Sequence, residues 1–255
     1  MLVKQIDEVL HVRLSVGRGI GSIANAGAGR RRFASHGKTG QIDLFGFDRA
    51  ARHARELAEG AWLLEGFARD RGDALLAALR QIENTAPFYQ MVTPGGATMS
   101  VAMTHCGALG WVSDRHGYRY VARNPETGEP WPAMPEVFSA LAQEAAAAVG
   151  FAAFRPDSCL INRYAPGTRL SLHQDKDERD LSQPIVSVSL GLPAVFLFGG
   201  FARTEHTQRL PLFHGDVVVW GGPSRLRFHG VLPVQDGDHP LLGACRINLT
   251  FRKAG

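Results

Sequence analysis

The spacing of apolar residues changes near Gly150 and separates a mixed part of the chain from a strand-rich part. In the first part, apolar residues three and four positions apart predict a helix that Asp73 caps and that ends near Pro87. A second helix is predicted from Pro135, at its first helical position, to Gly150. Between the two helices, the stretch 91–131 is rich in Gly, Met and aromatic residues, which predicts short strands and loops.

Beyond residue 150 the sequence alternates short apolar runs with turns that contain Gly or Pro. Many short strands joined by tight turns are typical of a sandwich, a barrel or a jelly roll. No internal repeat is visible. The predicted strands cover residues 159–164, 185–190, 195–198, 217–220 and 246–251.

Positive charge is concentrated at the start of the chain. Residues 1–40 contain seven Lys or Arg and two acidic residues, a balance of +5, whereas the whole chain carries +4, so residues 41–255 are at −1. We expect residues 1–40 to form a flexible basic extension. Any binding of nucleic acid by the rest of the chain must therefore depend on a local site rather than on bulk charge. The 45% hydrophobic content excludes a disordered chain and predicts a folded core.

Cysteine usage and hydropathy predict a cytoplasmic protein. Cys106, Cys159 and Cys245 are too few and too scattered for a disulfide framework or a CxxC metal site. No run reaches the roughly 18 apolar residues that a membrane span requires. The N-terminus is acidic at Asp7 and Glu8, where a secretory signal would be basic.

The sequence His173-Gln174-Asp175 places an imidazole and a carboxylate two residues apart, which on a strand directs both to one face. His229, in the apolar run 226–231, can supply a third ligand. Two imidazoles and one carboxylate in a facial triangle leave three positions open for non-haem Fe(II) and oxygen chemistry. A zinc hydrolase accepts similar ligands, and for the HxD motif alone a surface turn without metal is an equally good interpretation.

The last predicted strand carries polar side chains on one face. With a period of two, Arg246, Asn248, Thr250 and Arg252 share a face. A buried row of guanidinium and amide groups is costly unless a permanent anionic ligand satisfies it, and arginine forks suit carboxylates. A dicarboxylate cosubstrate would fit. The alternative is an edge strand with solvated arginines, which is commoner for one strand alone; the HxD…H set favours the ligand.

The HxD…H set followed by RxNxTxR resembles the AlkB family of Fe(II)/2-oxoglutarate dioxygenases, and the resemblance covers about residues 41–255. Residues 1–40 have no counterpart in it. Further matching runs are MVTPGG at 91–96, MSVAMT at 99–104, WPAMP at 131–135, LINRYAPG at 160–167, LSLHQDKD at 170–177 and GDVVVWGG at 215–222.

The resemblance implies a mainly β protein with α-helices. Residues 151–255 would form a double-stranded β-helix (a cupin-like jelly roll), and residues 41–150 an N-terminal α+β nucleotide-recognition lid, with 41–255 as one compact unit. The implied Fe(II) ligands are His173, Asp175 and His229. The implied 2-oxoglutarate site comprises Asn162, Tyr164, Arg246, Asn248 and Arg252, and the sequence does not say which arginine holds which carboxylate.

The resemblance also implies a set of substrate contacts. Trp111 would stack on an extruded base whose other face lies against His173. Chemistry on a base requires its extrusion, and an aromatic platform offsets roughly 1–3 kcal/mol of the unstacking cost. The other implied contacts are Tyr118, Arg119, Tyr120, Asp177 and Arg203.

The implied activity is oxidative demethylation of bases such as 1-methyladenine and 3-methylcytosine. It would consume O2 and 2-oxoglutarate and release formaldehyde, succinate and CO2. The expected partner is alkylated single- or double-stranded DNA, with RNA as a further candidate, and we expect a monomer. Two alternatives stay open: a 2-oxoglutarate-dependent hydroxylase of a protein or small molecule, and a non-catalytic lesion-binding protein.

Overall fold

The computed structural model describes residues 53–255, so the predicted extension 1–40 lies outside the described residues. This region contains thirteen strands and two α-helices. The helices are α1 (Gly72–Thr85) and α2 (Glu136–Ala148). The strands are β1 (Ala54–Ala58), β2 (Ala61–Leu64), β3 (Ala102–Gly107), β4 (Gly110–Asp114), β5 (Gly117–Val121), β6 (Ser158–Tyr164), β7 (Leu170–His173), β8 (Ile185–Gly191), β9 (Ala194–Phe198), β10 (Gln208–Leu212), β11 (Val217–Trp220), β12 (His229–Val231) and β13 (Arg246–Arg252).

The strands form two antiparallel sheets and a separate hairpin. The major sheet has the order β1-β2-β11-β8-β13-β6-β3, the minor sheet has the order β10-β9-β12-β7, and β4 pairs with β5. Side chains from both sheets share one buried cluster, which includes Leu160 and Tyr164 of the major sheet and Phe196 and Phe198 of the minor sheet. Two sheets packed face to face with crossing connections are the predicted jelly roll.

The other face of the major sheet packs against the two helices. Ile247, Leu249 and Phe251 of β13 belong to the cluster that the helices complete. The Phe138 ring of α2 meets the Phe251 ring edge-on at 5.9 Å between centroids. The helices therefore cover one face of the major sheet, and the polar side chains of β13 lie on the opposite, inner face.

Strand β13 lies in the middle of the major sheet, between β8 and β6, so the alternative of a solvated edge strand is wrong. Its alternating residues Arg246, Asn248, Thr250 and Arg252 point to the inner face and are all buried. The predicted row of buried polar groups is therefore present, and it faces the minor sheet.

Several element boundaries differ from the sequence predictions. Asp73 does not cap α1; the helix begins one residue earlier, and Asp73 lies in its first turn, where a carboxylate suits the helix dipole. Pro135 precedes α2 with an extended ψ of 145°, because the fixed φ of proline is compatible with both conformations. Strand β7 ends at His173, which leaves Asp175 in the following loop. Within residues 53–255, no helix is long and apolar enough to cross a membrane.

Candidate active site

Two histidines face each other across one rung of the minor sheet. His173 ends β7 and His229 begins β12, and the antiparallel register makes them direct cross-strand partners. Their ring centroids are 4.3 Å apart. Asp175 reaches the pair from the loop, with its Oδ1 3.6 Å from His173 Nε2 and its Oδ2 3.7 Å from His229 Nε2. One ligand atom from each of the three residues lies within 4.8 Å of the others, the geometry of a group that can hold a metal ion.

Backbone carbonyls orient both imidazoles. His173 Nδ1–H donates to Ser171 O at 2.9 Å, and His229 Nδ1–H donates to Arg227 O at 3.1 Å. The proton on Nδ1 leaves the lone pair of each Nε2 directed at Asp175. Such an outer hydrogen bond fixes the tautomer that a metal-binding histidine needs.

The electrostatics of the triad favour a neutral imidazole and an ionised carboxylate. Burial, together with the nearby His229, lowers the pKa of His173 to about 4. Burial alone would raise the pKa of Asp175, but the Arg252 guanidinium and the two histidines hold it well below its ordinary value. Both residues are therefore in the metal-binding protonation state at neutral pH.

Arg252 belongs to a buried ionic network at the triad end of β13. Its Nε and Nη2 donate to Asp175 Oδ2 at 3.0 and 2.6 Å. Its Nε also lies 3.3 Å from Glu178 Oε1. Glu178 accepts in turn from Arg225 Nη2 at 2.9 Å, and Arg225 Nη1 donates to the Asp175 carbonyl at 2.6 Å. The network fixes the carboxylate of Asp175 on its loop.

Arg246, at the other end of β13, is much less fully bonded. Its Nη2 donates to Ser189 Oγ at 3.0 Å, and its guanidinium carbon lies 4.8 Å from the Tyr164 ring centroid. Arg246 Nε and Nη1, Tyr164 Oη and Asn162 Oδ1 are buried and make no hydrogen bond of good geometry within the described residues, although the Tyr164 hydroxyl lies near the Arg246 guanidinium. Buried polar groups normally have partners, so this cluster has the donors and the charge to bind an anion.

Asn248 stands between the two arginines but is occupied by its own sheet. Its Nδ2 donates to Ser187 Oγ at 2.8 Å and to Val188 O at 3.0 Å. Its Oδ1 accepts from Thr250 Oγ1 at 2.9 Å. The side chain therefore braces β13 against β8.

Comparison with known proteins identifies the family. The model of the 2OG-Fe(II) oxygenase superfamily matches residues 60–252. The α-ketoglutarate-dependent dioxygenase AlkB of Salmonella typhimurium is 57% identical over 213 residues, which are 84% of this chain and 98% of the relative. The chain belongs to the AlkB family of 2OG-Fe(II) oxygenases. The cofactors of this family are Fe(II) and 2-oxoglutarate, another name for α-ketoglutarate.

A plant protein and a solved structure are also similar to this chain. The DNA N(6)-methyladenine demethylase ALKBH1D of Arabidopsis thaliana is 43% identical over 108 residues, which are 38% of this chain and 24% of that protein. The solved structure of OsALKBH1 has a TM-score of 0.69 and 32% identity, and it covers 79% of this chain and 100% of its own. The fold of this AlkB-family protein is therefore shared with a solved relative.

The β4–β5 hairpin is attached to the loop that carries Asp175. Trp111 and Tyr120 are cross-strand partners, so they lie on one face of the hairpin. Trp111 Nε1–H donates to Asp177 Oδ2 at 2.8 Å, and Tyr120 Oη–H donates to Glu178 Oε1 at 2.7 Å. Burial raises the pKa of Tyr120, so its hydroxyl keeps the proton that it donates. These bonds hold the Trp111 ring at the loop that bears the metal-site carboxylate.

The exposed Tyr118 shares this face and covers the indole of Trp111. The two rings are stacked at 5.4 Å between centroids, with 10° between their planes. Of the substrate contacts implied for the AlkB family, Trp111, Tyr118, Tyr120 and Asp177 are therefore gathered at one place.

Two other implied contacts lie elsewhere. Arg119 alternates to the opposite face of the hairpin, where its two terminal nitrogens donate to Asp114 at 2.9 and 2.7 Å. Arg203 is exposed on the β9–β10 loop, with its guanidinium carbon 5.4 Å from the Phe228 ring centroid. Phe228 precedes His229 in the chain, so Arg203 lies beside the segment that leads into this histidine.

Sequence reasoning missed Glu178 and Arg225. Both side chains are buried and join Asp175, Arg252 and Tyr120 into one network. Glu178 lies within a run of charged residues, 175–180, that is typical of a solvated turn, so nothing local distinguishes it from its exposed neighbours. Arg225 lies 47 residues after Glu178 in the chain, and only the fold brings the two side chains together.

Proposed function

We propose that the protein removes alkyl groups oxidatively from ring or exocyclic nitrogens of nucleobases in DNA, using Fe(II), 2-oxoglutarate and O2. One observation carries this proposal: the His173–Asp175–His229 triad lies beside buried, unpartnered donors and beneath an aromatic hairpin. Membership of the AlkB family and the similarity to a DNA demethylase support the substrate class.

The proposed metal ligands are His173 Nε2, His229 Nε2 and one carboxylate oxygen of Asp175. This donor set suits Fe(II) and occupies three positions on one side of the ion, so three positions stay open. Arg252 holds the other oxygen of the Asp175 carboxylate, Oδ2, through two hydrogen bonds. It thereby sets the carboxylate orientation that the ion meets.

For 2-oxoglutarate, the two ends of β13 suit different carboxylates. Arg252 lies at the metal end, so it would face the keto-acid end that chelates the ion. Arg246 would hold the far carboxylate with its two unpartnered N–H groups, and Tyr164 Oη would add a further donor. Three of the four orphaned polar atoms, Arg246 Nε, Arg246 Nη1 and Tyr164 Oη, are donors that fit this anion. Asn162 Oδ1 is an acceptor, so the amide would turn to present its N–H2 group.

For the base, Trp111 is the proposed stacking surface. Tyr118 covers one face of the indole, which leaves the opposite face for the extruded base. Bases such as 1-methyladenine and 3-methylcytosine carry positive charge. The exposed Asp177 carboxylate, 2.8 Å from Trp111 Nε1, would therefore attract these bases more strongly than their neutral counterparts.

When bound, Fe(II) with 2-oxoglutarate supplies the oxidation of a C–H bond of the alkyl group by O2. The protein orients the reacting groups. His173 and His229 direct lone pairs at one point, Arg246 fixes the cosubstrate, and Trp111 holds the base in place. Hydroxylation of an N-methyl carbon lets the N–C bond break, which restores the base and releases formaldehyde. Succinate and CO2 are the products of the cosubstrate.

Mass spectrometry of a DNA oligonucleotide with one 3-methylcytosine tests the proposal. Incubation with the protein, Fe(II), 2-oxoglutarate and air should lower the oligonucleotide mass by one CH2 unit, with formation of succinate. Omission of 2-oxoglutarate should abolish the change, as should the His173→Ala variant. An oligonucleotide with 5-methylcytosine, whose methyl group is on carbon and whose ring is neutral, is the matched control.

Consumption of 2-oxoglutarate without any change in the 3-methylcytosine oligonucleotide would contradict the proposed substrate. An RNA oligonucleotide of the same sequence forms a second arm of the experiment. Faster turnover of the RNA would replace DNA by RNA as the principal substrate while leaving the chemistry in place.

A further inference from the structure

The β9–β10 loop carries an exposed aromatic side chain close to the metal ligands. Phe198, the last residue of β9, is the cross-strand partner of His229. Phe201 follows three residues later, and its exposed fraction of 53% is unusual for so large an apolar side chain. Only three other large hydrophobic side chains among residues 53–255 are classed as exposed: Val92, Tyr118 and Leu241.

The backbone around Phe201 is held in place. Glu205 Oε1 accepts from the backbone N–H groups of Phe201 at 3.2 Å and Ala202 at 2.8 Å. The neighbouring Gly200 leaves space for this carboxylate, since any Cβ there would collide with it. Phe228 N–H donates to Gly200 O at 2.8 Å, which ties the loop to the segment that leads into His229. The ring is therefore displayed on a fixed turn rather than on a loose one.

A guanidinium backs the Phe201 ring. The guanidinium carbon of Arg227 lies 5.0 Å from the ring centroid. Arg227 is held in turn by Gly199 O at 2.9 Å and Ser224 Oγ at 3.1 Å. Such a cation–aromatic contact keeps the ring in one orientation while much of its surface stays open. Arg203, two residues after Phe201, adds a second positive charge at the same loop.

We propose that Phe201 is a stacking platform for a base that flanks the extruded base in the same strand. The inference rests on the proposed function and names a further contact for the same substrate. An exposed ring with Arg227 against it and Arg203 two residues further along the loop suits a strand that offers π faces and phosphates. Bases stack on aromatic rings, and phosphates attract guanidinium groups. An apolar protein surface would have to desolvate both arginines. Nucleic acid is therefore the favoured occupant.

The experiment compares a trinucleotide with a single nucleotide as ligands of the full chain. Calorimetry would give the Kd of a DNA trinucleotide with a central 3-methylcytosine and the Kd of 3-methyl-dCMP alone. We expect Phe201→Ala to raise the trinucleotide Kd about tenfold, the loss expected from one base–aromatic stack. The ratio of the two dissociation constants, which measures the gain from flanking bases, should fall by the same factor.

Conservative variants separate stacking from simple apolar contact. Phe201→Trp should keep the trinucleotide Kd within twofold of the unmodified protein, whereas Phe201→Leu should lose as much as Phe201→Ala. Leu241→Ala is the matched control, because Leu241 is 50% exposed and lines a separate cavity with His214 and His239. This control should bind both ligands as the unmodified protein does.

Three results would overturn the inference. The first is an unchanged trinucleotide Kd in Phe201→Ala, and the second is equal binding by the Leu and Trp variants. The third is a changed oligomeric state in Phe201→Ala, which would mean that protein rather than nucleic acid covers the ring. If the unmodified protein binds neither the trinucleotide nor the nucleotide, the proposed function fails with it. Binding of both without an effect of Phe201 removes only the platform.

Discussion

At one end of β13, Arg252 donates two hydrogen bonds to the Asp175 carboxylate, lies 3.3 Å from the Glu178 carboxylate and belongs to a buried ionic network. At the other end of the same strand face, Arg246 keeps two nitrogens, Nε and Nη1, without a hydrogen-bond partner among the described residues, whereas Arg252 keeps only Nη1. The two residues have the same side chain, the same burial and the same strand. The difference between them indicates that one arginine positions a metal ligand, whereas the other is prepared for an anion that the protein does not itself supply.

Removal of Asp175 should have the largest effect on activity and stability at the Arg252 end of β13. Asp175→Ala deletes a proposed metal ligand and leaves the Arg252 guanidinium without its principal partner. We expect turnover to fall to background and the free energy of unfolding to fall by about 3 kcal/mol, the cost of breaking a buried pair. The 2-oxoglutarate-dependent assay and urea unfolding measure the two effects. Asp180→Ala, which removes an exposed carboxylate from the same loop, is the control and should keep turnover; activity in Asp175→Ala would exclude Asp175 from the metal site.

Matched methionine variants test the comparison directly through stability. Arg252→Met should lower the free energy of unfolding by about 3 kcal/mol, because it leaves Asp175 as a buried, unpaired carboxylate. Arg246→Met should leave it unchanged or raise it, because a guanidinium with unsatisfied donors is replaced by an apolar side chain of similar length. Urea unfolding without cosubstrate measures both. Equal losses in the two variants would mean that Arg246 is satisfied within the protein.

Affinity for 2-oxoglutarate distinguishes the two ends in the other direction. Arg246→Lys keeps the charge but loses the planar fork of donors, so we expect the Kd for 2-oxoglutarate to rise by roughly tenfold to a hundredfold, or about 1.5–3 kcal/mol. Arg163→Lys is the control, since Arg163 pairs with Glu83 on the surface. Calorimetric titration gives both values. An unchanged Kd in Arg246→Lys would remove this residue from the cosubstrate site.

His105 provides a smaller test, based on pH, of the Arg252 end. This buried residue has no hydrogen-bond partner for either ring nitrogen within the described residues. Burial, and then the positive charge of Arg252, lower its pKa to about 3. The unfolded chain binds this proton near pH 6.5 and the folded chain does not, so its contribution to stability is complete above pH 6.5 and declines as the pH falls towards 3.

The variant His105→Leu should therefore raise the free energy of unfolding by about 1–2 kcal/mol at pH 5 and flatten its decline between pH 6.5 and 4. Thermal or urea unfolding at several pH values measures this slope. His53→Leu, which changes an exposed histidine, is the control. A slope that is the same in His105→Leu and the unmodified protein would show that other groups, among them His173 and His214, account for the acid sensitivity.

The sequence predicts those parts of the molecule whose signal is local. The alternation along 246–252 predicts the polar face of β13. The apolar runs beyond residue 150 predict the ends of five strands to within one residue: β6, β8, β9, β11 and β13. Nothing in the sequence predicts strand β1, because three of its five residues are exposed and two of them are charged, as on a surface loop. Asn248 was grouped with the cosubstrate residues, but nothing in the strand pattern reveals that β8 already satisfies its amide.

Contacts between distant segments were not predictable. The pairing of Arg252 with Asp175 joins residues 77 positions apart, and the sequence alone offers both arginines of β13 as equivalent. Burial and register of this kind depend on the assembled sheets rather than on any local run of residues.

The direct pairing of His173 with His229 in the minor sheet has a consequence for the entropy of metal binding. The β7–β12 ladder sets the distance between the two imidazoles, and a backbone carbonyl restrains each ring. The conformational freedom of these side chains is therefore lost when the polypeptide folds, before any ion arrives. Such a preorganised chelate needs little further ordering, so more of the interaction energy between ligand atoms and ion is expressed as affinity.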